Sequence, residues 1–366
     1  MIHGSRTRNI LINKVTRCRV IMKYYKRSPY LLTYWDENNK RIVYNYNRYN
    51  KVMISEQVLK IIELIPEWKN EQEISTALGF EKKDVAKSLK LLTKLNIVHE
   101  KGLKNSDNDS FRGPSWDIIE LAAQRQRSYG GRKEMSQRIG KSPRPFKQVN
   151  GLSSLTLQEA ERHKQNSGTL LEILNARKSI REYSDDYISL ENLAHFLYSS
   201  ARIKKIVKSP EGTVTRRPYP SGGARYPLEI YVVNNYVKGI ERGVHFYDPF
   251  KHRMILLNKN QIYQKKFNTF LLDVQSPLLK RPPDVAFIIT AVFARTMWKY
   301  RNIGFSLIMS DLGCLYQTMY LVATEMNLAP CPLGKTYEEL VRNWLKLNWF
   351  EESHVGTFLL GRNSHS

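Results

Sequence analysis

The sequence predicts an α+β protein in two parts: a small front unit of short strands and helices, and a larger domain in which strands and helices alternate. Three observations carry this. At 366 residues the chain exceeds one ordinary core and suits two domains. The first hundred residues run through short strands, then helical stretches, then a strand. From about residue 165 a regular succession of helices and apolar strands continues to the end. The predicted boundaries are 1–100 for the front unit, 101–164 for a linker with one helix, and 165–366 for the main domain.

Composition narrows the class. Hydrophobic residues make up 42% of the chain, enough to fill two cores. There is no uncharged apolar run of about 18 residues, so no transmembrane helix is expected. The N-terminal MIHGSRTRNILINK has basic residues but no apolar block of signal-peptide length after it, which predicts a cytoplasmic protein. Cys18, Cys314 and Cys331 are odd in number and far apart, suiting neither a disulfide framework nor a metal cluster. The formal net charge of +24 reads either as attraction to a polyanion or acidic peptide, or as a Lys-rich solvated surface. Basic residues are spread through both halves, which favours the second reading.

In the front unit, RCRVIMKYYK and RIVYNYNRY are rich in Val, Ile and Tyr and predict strands. DENNK, between Trp35 and Arg41, predicts a turn. SEQVLKIIELIPEW predicts a helix capped by Ser55, with Val58, Ile61, Ile62 and Ile65 on one face. EQEISTALGFEKKDVAKSLKLLTKLNIVHEK predicts two helices about Gly79, the second placing Val85, Leu89 and Leu92 inside, then a strand over Ile97–Glu100. This order is that of a winged helix. The helix from Lys82 to Leu95 carries Lys82, Lys83, Lys87, Lys90 and Lys94, but no Arg, Asn or Gln of the kind that reads bases. Peptide or protein docking is therefore favoured over DNA binding.

Residues 101–115 are polar and turn-rich. WDIIELAAQRQRSY predicts a helix, and GGRKEMSQRIGKSPRPFKQVNG a basic surface loop. Three later segments carry chemistry. In ARKSIREY, between two predicted helices, Arg177, Ser179 and Arg181 alternate. An extended backbone points them one way, giving two guanidinium forks and a hydroxyl for an anionic ligand. In YPSGGARYP, before the apolar strand LEIYVVNN, Gly222 and Gly223 permit close approach of a flat ring. In DVAFIITAVFARTMWKYRN, the pair Lys299–Tyr300 lies just past a buried strand. A cation beside a tyrosine favours the phenolate, so the pair suits a general base. A long helix and then NLAPCPLGK follow. Each segment alone is short and equally compatible with a structural loop.

Taken in order, RKSIREY, YPSGGARYPLEIYVV, RTMWKYRNIGFSLIMSDLG and HVGTFLLGR resemble the nitroreductase-like flavoproteins over residues 165–362. Within them they resemble the SagB-type dehydrogenases, the azoline oxidases of ribosomal peptide natural-product pathways. The resemblance implies an antiparallel-rich sheet flanked by helices, an FMN cofactor, and a homodimer holding each FMN at its interface. It implies that Arg177, Ser179 and Arg181 clamp the phosphate and pyrimidine of FMN, with Arg362 reaching the phosphate. Pro220, Ser221 and Gly222 would lie along the flavin ring, and Leu333 and Gly334 would approach flavin N5. Lys299 and Tyr300 match the pair assigned to proton abstraction. The implied partners are a precursor peptide carrying azolines, a cyclodehydratase complex, and molecular oxygen as electron acceptor. Two departures stand out: Gly223-Ala224-Arg225 where small apolar residues are usual, and Cys314-Leu315-Tyr316 in place of a more polar helix start.

Rival readings are an NAD(P)H-dependent flavin reductase, a winged-helix DNA-binding redox regulator, and a non-catalytic scaffold within a biosynthetic complex. The flavin clamp suits the first equally well, and the Lys299–Tyr300 pair and the front unit weigh against it. The Lys-rich helix alone supports the second. The intact clamp speaks against the third.

Overall fold

A computed structural model describes residues 22–36, 38–45, 50–101, 141–159, 168–210, 212–275, 277–300 and 303–364. Cys18 and the helix expected near Trp116 lie outside these residues. The chain divides into two compact units, residues 1–129 and 130–366.

The first unit opens with strands β1 (Tyr24–Arg27), β2 (Leu31–Trp35), β3 (Arg41–Asn45) and β4 (Asn50–Met53). The DENNK turn joins β2 to β3, with Asn39 in the left-handed region. Ser55 caps α1 (Glu56–Leu64). The helix stops short of the stretch read from sequence, because Pro66 disfavours helical geometry at Ile65. A short β5 (Lys69–Asn70) leads into α2 (Glu71–Leu78), opened by an Asn70–Glu73 capping box and closed by Gly79 at φ +66°. Then come α3 (Lys82–Lys94) and β6 (Val98–Glu100). β1 pairs between β5 and β6, and β2, β3 and β4 form a second antiparallel sheet. Ile61, Ile62, Ile65, Ile74, Val85, Leu89 and Leu92 fill the core, as their helical spacing predicts. Lys82, Lys83, Lys87, Lys90 and Lys94 are all exposed on α3.

The second unit is built on one seven-stranded antiparallel sheet. Its elements are β7 (Ser153–Thr156), α4 (Leu170–Ala176), α5 (Leu190–Ala201), the hairpin β8 (Lys205–Ser209) and β9 (Gly212–Arg216), and β10 (Leu228–Asn234). They continue with β11 (Gly243–Asp248), β12 (Arg253–Asn258), α6 (Gln261–Gln275), β13 (Val285–Val292), α7 (Phe293–Met297) and α8 (Gly304–Glu325). The last are β14 (Leu328–Leu333), α9 (Glu338–Leu345) and β15 (Glu352–Arg362). The strand order is β14-β15-β13-β10-β11-β12-β7. Residues 153–156, read from sequence as linker, are thus the outermost strand.

Both faces of the sheet are covered, which is why β10 and β13 are buried along almost their whole length. Leu228, Ile230, Val232, Phe287 and Ile289 pack with α5 and α8 on one face. Tyr231, Val233, Phe246, Ala286 and Ile288 pack with Phe267 of α6 and Trp344 of α9 on the other. This is the α+β architecture expected, a helix–sheet–helix sandwich. Among the described residues, no helix is long and apolar enough to cross a membrane.

Candidate functional site

The long helix α8 organises the site, contacting the YPSGG turn, the PCPLG strand and the RKSIREY segment from successive turns. Near its start, Asp311 reaches the YPSGG turn. The Ser221 hydroxyl donates to Asp311 Oδ2 at 2.6 Å, and the Gly222 amide donates to Oδ1 at 3.0 Å. The same Ser221 oxygen accepts the Tyr226 amide at 2.9 Å. Burial pushes the Asp311 carboxyl up, and these two donors pull it back. The Ser221 hydroxyl is therefore committed to shaping the turn. The turn itself is tight: Gly223 has φ +61°, and Ala224 and Tyr226 also take positive φ.

Midway along α8, the Tyr316 hydroxyl donates to the carbonyls of Leu333 (3.3 Å) and Thr357 (3.1 Å). Burial pushes the Tyr316 phenol up, which keeps it a donor. The Leu333 side chain is buried in the core, while Gly334 is exposed, and a β-carbon there would meet nothing within 4 Å. Cys314-Leu315-Tyr316 thus lies inside the helix. The sequence reading set it at a helix start, but α8 already begins at Gly304.

Near the end of α8, Tyr320 meets the first segment. The Arg177 guanidinium lies 5.0 Å from the Tyr320 ring centroid, and the Ser179 and Tyr320 hydroxyls share a hydrogen bond. Arg177 closes α4 with extended geometry, and the chain then runs beside edge strand β14, where the Ile180 amide donates to the Pro330 carbonyl at 2.9 Å. Arg181 diverges from the other two: its Nε–H donates to Gln275 Oε1 of α6 at 2.6 Å, beside the Cys331 thiol. The Arg362 side chain is exposed. Its backbone amide donates to Asp284 Oδ2, which also accepts the Ile188 amide, while Arg281 pairs with Oδ1. Asp284 is fully buried, so burial pushes its carboxyl up despite these donors. This node ties the segment after Arg181 to the end of β15.

The third segment differs from its expected setting. The short helix α7 intervenes between β13 and Lys299–Tyr300, so the pair does not directly follow the strand. The pair hangs from the last turn of α7, with both amides donating to the Thr296 carbonyl. The Lys299 ammonium lies 5.5 Å from the Tyr300 ring centroid. The phenol leans on the glycine turn: a β-carbon built on Gly223 would stand 2.6 Å from the Tyr300 hydroxyl oxygen. Lys299, Tyr300, Ser221 and Gly222 are thus assembled at one place, with exposed Pro220 at its rim. Arg177 and Ser179 meet at Tyr320, nine residues from Asp311, or about 14 Å along the helix axis.

Sequence reasoning missed Asp311, Tyr316, Tyr320, Glu229 and Arg295. Asp311 carried a signal, because it is the lone charge between Gly304 and Thr324 in an otherwise apolar helix. Arg295 and Glu229 form a buried ion pair beneath the site. Arg225, flagged as a departure, is buried too. Among the described residues, no group of His, Cys, Asp and Glu could hold a metal ion.

The chain is 31% identical to MJ1384 of Methanocaldococcus jannaschii, a candidate nitroreductase, over 49% of this chain and 84% of that protein. It is 30% identical to the trifolitoxin-processing protein TfxB of Rhizobium leguminosarum bv. trifolii, over 46% of this chain and 45% of TfxB. It is also 30% identical to the microcin B17-processing protein McbC of Escherichia coli, over 33% of this chain and 44% of McbC. The matches therefore span under half of the two processing proteins. A nitroreductase-type crystal structure from Anabaena variabilis shares the fold at TM-score 0.50 and 23% identity, covering 65% of this chain and 45% of that one. The Nitroreductase family model matches residues 174–362, a stretch that holds every site residue above. The chain belongs to the Nitroreductase family.

Proposed function

We propose that this protein is a SagB-type, FMN-dependent dehydrogenase that oxidises thiazoline or oxazoline rings to thiazoles or oxazoles in a ribosomally made peptide. The family supplies the coarse part, an oxidoreductase role with a flavin. The observation that carries the finer part is the seating of Tyr300, backed by Lys299, on the glycine turn. The naming of TfxB as a trifolitoxin-processing protein and of McbC as a microcin B17-processing protein supports the substrate class.

The residues present fit FMN. Arg177 and Arg362 offer forked cations that suit a phosphate, and Ser179 adds a hydroxyl. Gly334 leaves its backbone open to a ring edge. When bound, FMN supplies the two-electron acceptor. The Ser221 turn would line the ring, with its hydroxyl held by Asp311. Tyr300 would take the proton from the ring carbon between C=N and carbonyl, which both groups acidify, and Lys299 would keep positive charge beside the phenol.

A homodimer is part of this reading. Helix α4 buries none of its residues and exposes Leu170, Leu171 and Leu174. The front unit would hold the leader peptide or the cyclodehydratase, and molecular oxygen would be the terminal acceptor. A second reading, an NAD(P)H-dependent reductase, is favoured by MJ1384, a candidate nitroreductase covered over most of its length.

The test is direct. The purified protein should absorb as a bound flavin and convert a thiazoline-bearing peptide with loss of two mass units per ring. The Lys299→Ala/Tyr300→Phe double variant should keep the flavin and lose turnover. Rapid bleaching by NAD(P)H with no azoline oxidation would establish the second reading instead.

A further inference from the structure

Resting on that reading, we infer that Arg225 is the positioning residue that fixes Lys299 and Tyr300 against the glycine turn. The argument begins with the end of α7. In a continuing α-helix the Lys299 amide would bond the Arg295 carbonyl four residues back. Instead the Lys299 amide turns to the Thr296 carbonyl at 3.1 Å, which also accepts the Tyr300 amide four residues on at 2.9 Å. The Arg295 carbonyl is left without that partner, and Arg225 Nε–H takes it at 2.9 Å.

The rest of the Arg225 fork is engaged as well. Its guanidinium lies 4.8 Å from the ring centroid of Trp298, the residue before Lys299. Its Nη2 donates to Ser142 Oγ at 3.0 Å. Arg225 also belongs to the turn, since its amide donates to the Gly222 carbonyl at 3.3 Å. One residue therefore sits in the turn that Tyr300 touches and clamps the chain that carries Tyr300.

Arg295 does the complementary job. Its side chain pairs with Glu229 and donates to the carbonyls of Tyr226 and Arg144, which anchors the middle of α7. Arg225 acts on the end of the helix. Lysine cannot replace it: a point-like ammonium does not hold a carbonyl, a hydroxyl and an indole face in fixed directions at once.

The test uses the full-length protein and the variants Arg225→Lys, Arg225→Met and Ser142→Ala. Nitration by tetranitromethane is followed residue by residue by mass spectrometry, with exposed Tyr337 as internal reference. Tyr300 should nitrate several-fold faster in both Arg225 variants and to a lesser degree in Ser142→Ala, while Tyr337 is unchanged. With azoline peptide, kcat should fall about 100-fold in the Arg225 variants with KM little altered, the scale of an ångström-level misplacement. Tyr300 nitrating at the wild-type rate in folded variants would overturn the inference. A uniform rise over all tyrosines would overturn it too, because that reports general loosening. If Arg225→Met does not fold, Arg225→Lys and Ser142→Ala carry the test. Nitration is independent of substrate, so a wild-type protein inert on azolines would sink the functional reading and leave this assignment standing.

Discussion

The hydroxyl of Tyr300 rests on the bare backbone of Gly223, at a distance that no side chain on residue 223 would permit. The relationship joins two of the three sequence segments singled out for chemistry. It also explains the second glycine: Gly223 needs both its left-handed φ and its missing β-carbon.

Gly223→Ala should therefore fail twice over. The left-handed backbone costs an L-residue about 1–2 kcal/mol. The new methyl also forces the phenol away. Melting curves should show the modest stability loss, and turnover should fall far more than the melt predicts.

Asp311 should matter to the turn rather than to the core. Asp311→Ala leaves the half-buried Ser221 hydroxyl and Gly222 amide without their acceptor, at about 1 kcal/mol each. Asp311→Asn keeps one acceptor oxygen and should cost less. Denaturant unfolding ranks the two variants, and an equal loss in both would contradict this account.

The phosphate end makes a separate prediction. Arg177→Met should weaken FMN binding by about 10- to 100-fold, the scale of one charged hydrogen-bonding group. Tyr320→Phe removes only the partner of Ser179 and should weaken it by several-fold. Titration of flavin fluorescence against apoprotein reads both.

His354 sets an acid limit on stability. The Tyr337 amide donates to its Nδ1, so Nε2 carries the proton and donates to Gly356 and Thr357. Burial pushes this imidazole from 6.5 down to about 4. As pH falls through that window the unfolded chain takes up the proton and the folded chain does not. The contribution, present above pH 6.5, is lost progressively towards pH 4, to about 3 kcal/mol. His245 and His252, also lowered by burial, act in the same direction. His354→Gln should flatten this slope in urea unfolding at a series of pH values.

Local physics made part of this molecule readable. Ser55, Gly79 and the Val85–Leu89–Leu92 spacing are short-range signals, and the helices around them follow. The apolar run after Asp284 and the long stretch after Gly304 were equally plain. The linker reading missed β7 because SSLT has little apolar content and is a strand only through its pairing with β12. The sequence motifs named Lys299 and Tyr300 but not the partners that place them. Asp311, Tyr316 and Tyr320 contribute through contacts 17 to 141 residues away, which no local pattern encodes. Arg225 stood out in the sequence only as a departure from the small apolar residues usual there; its buried fork is visible only in three dimensions.

Edge strand β14 carries Pro330 and Pro332. Proline has no amide hydrogen to offer, so another chain that tried to extend the sheet from this side would find gaps in the ladder. The Pro330 carbonyl is already taken by Ile180. The sheet margin beside Ile180 is thus guarded against fibril-like growth.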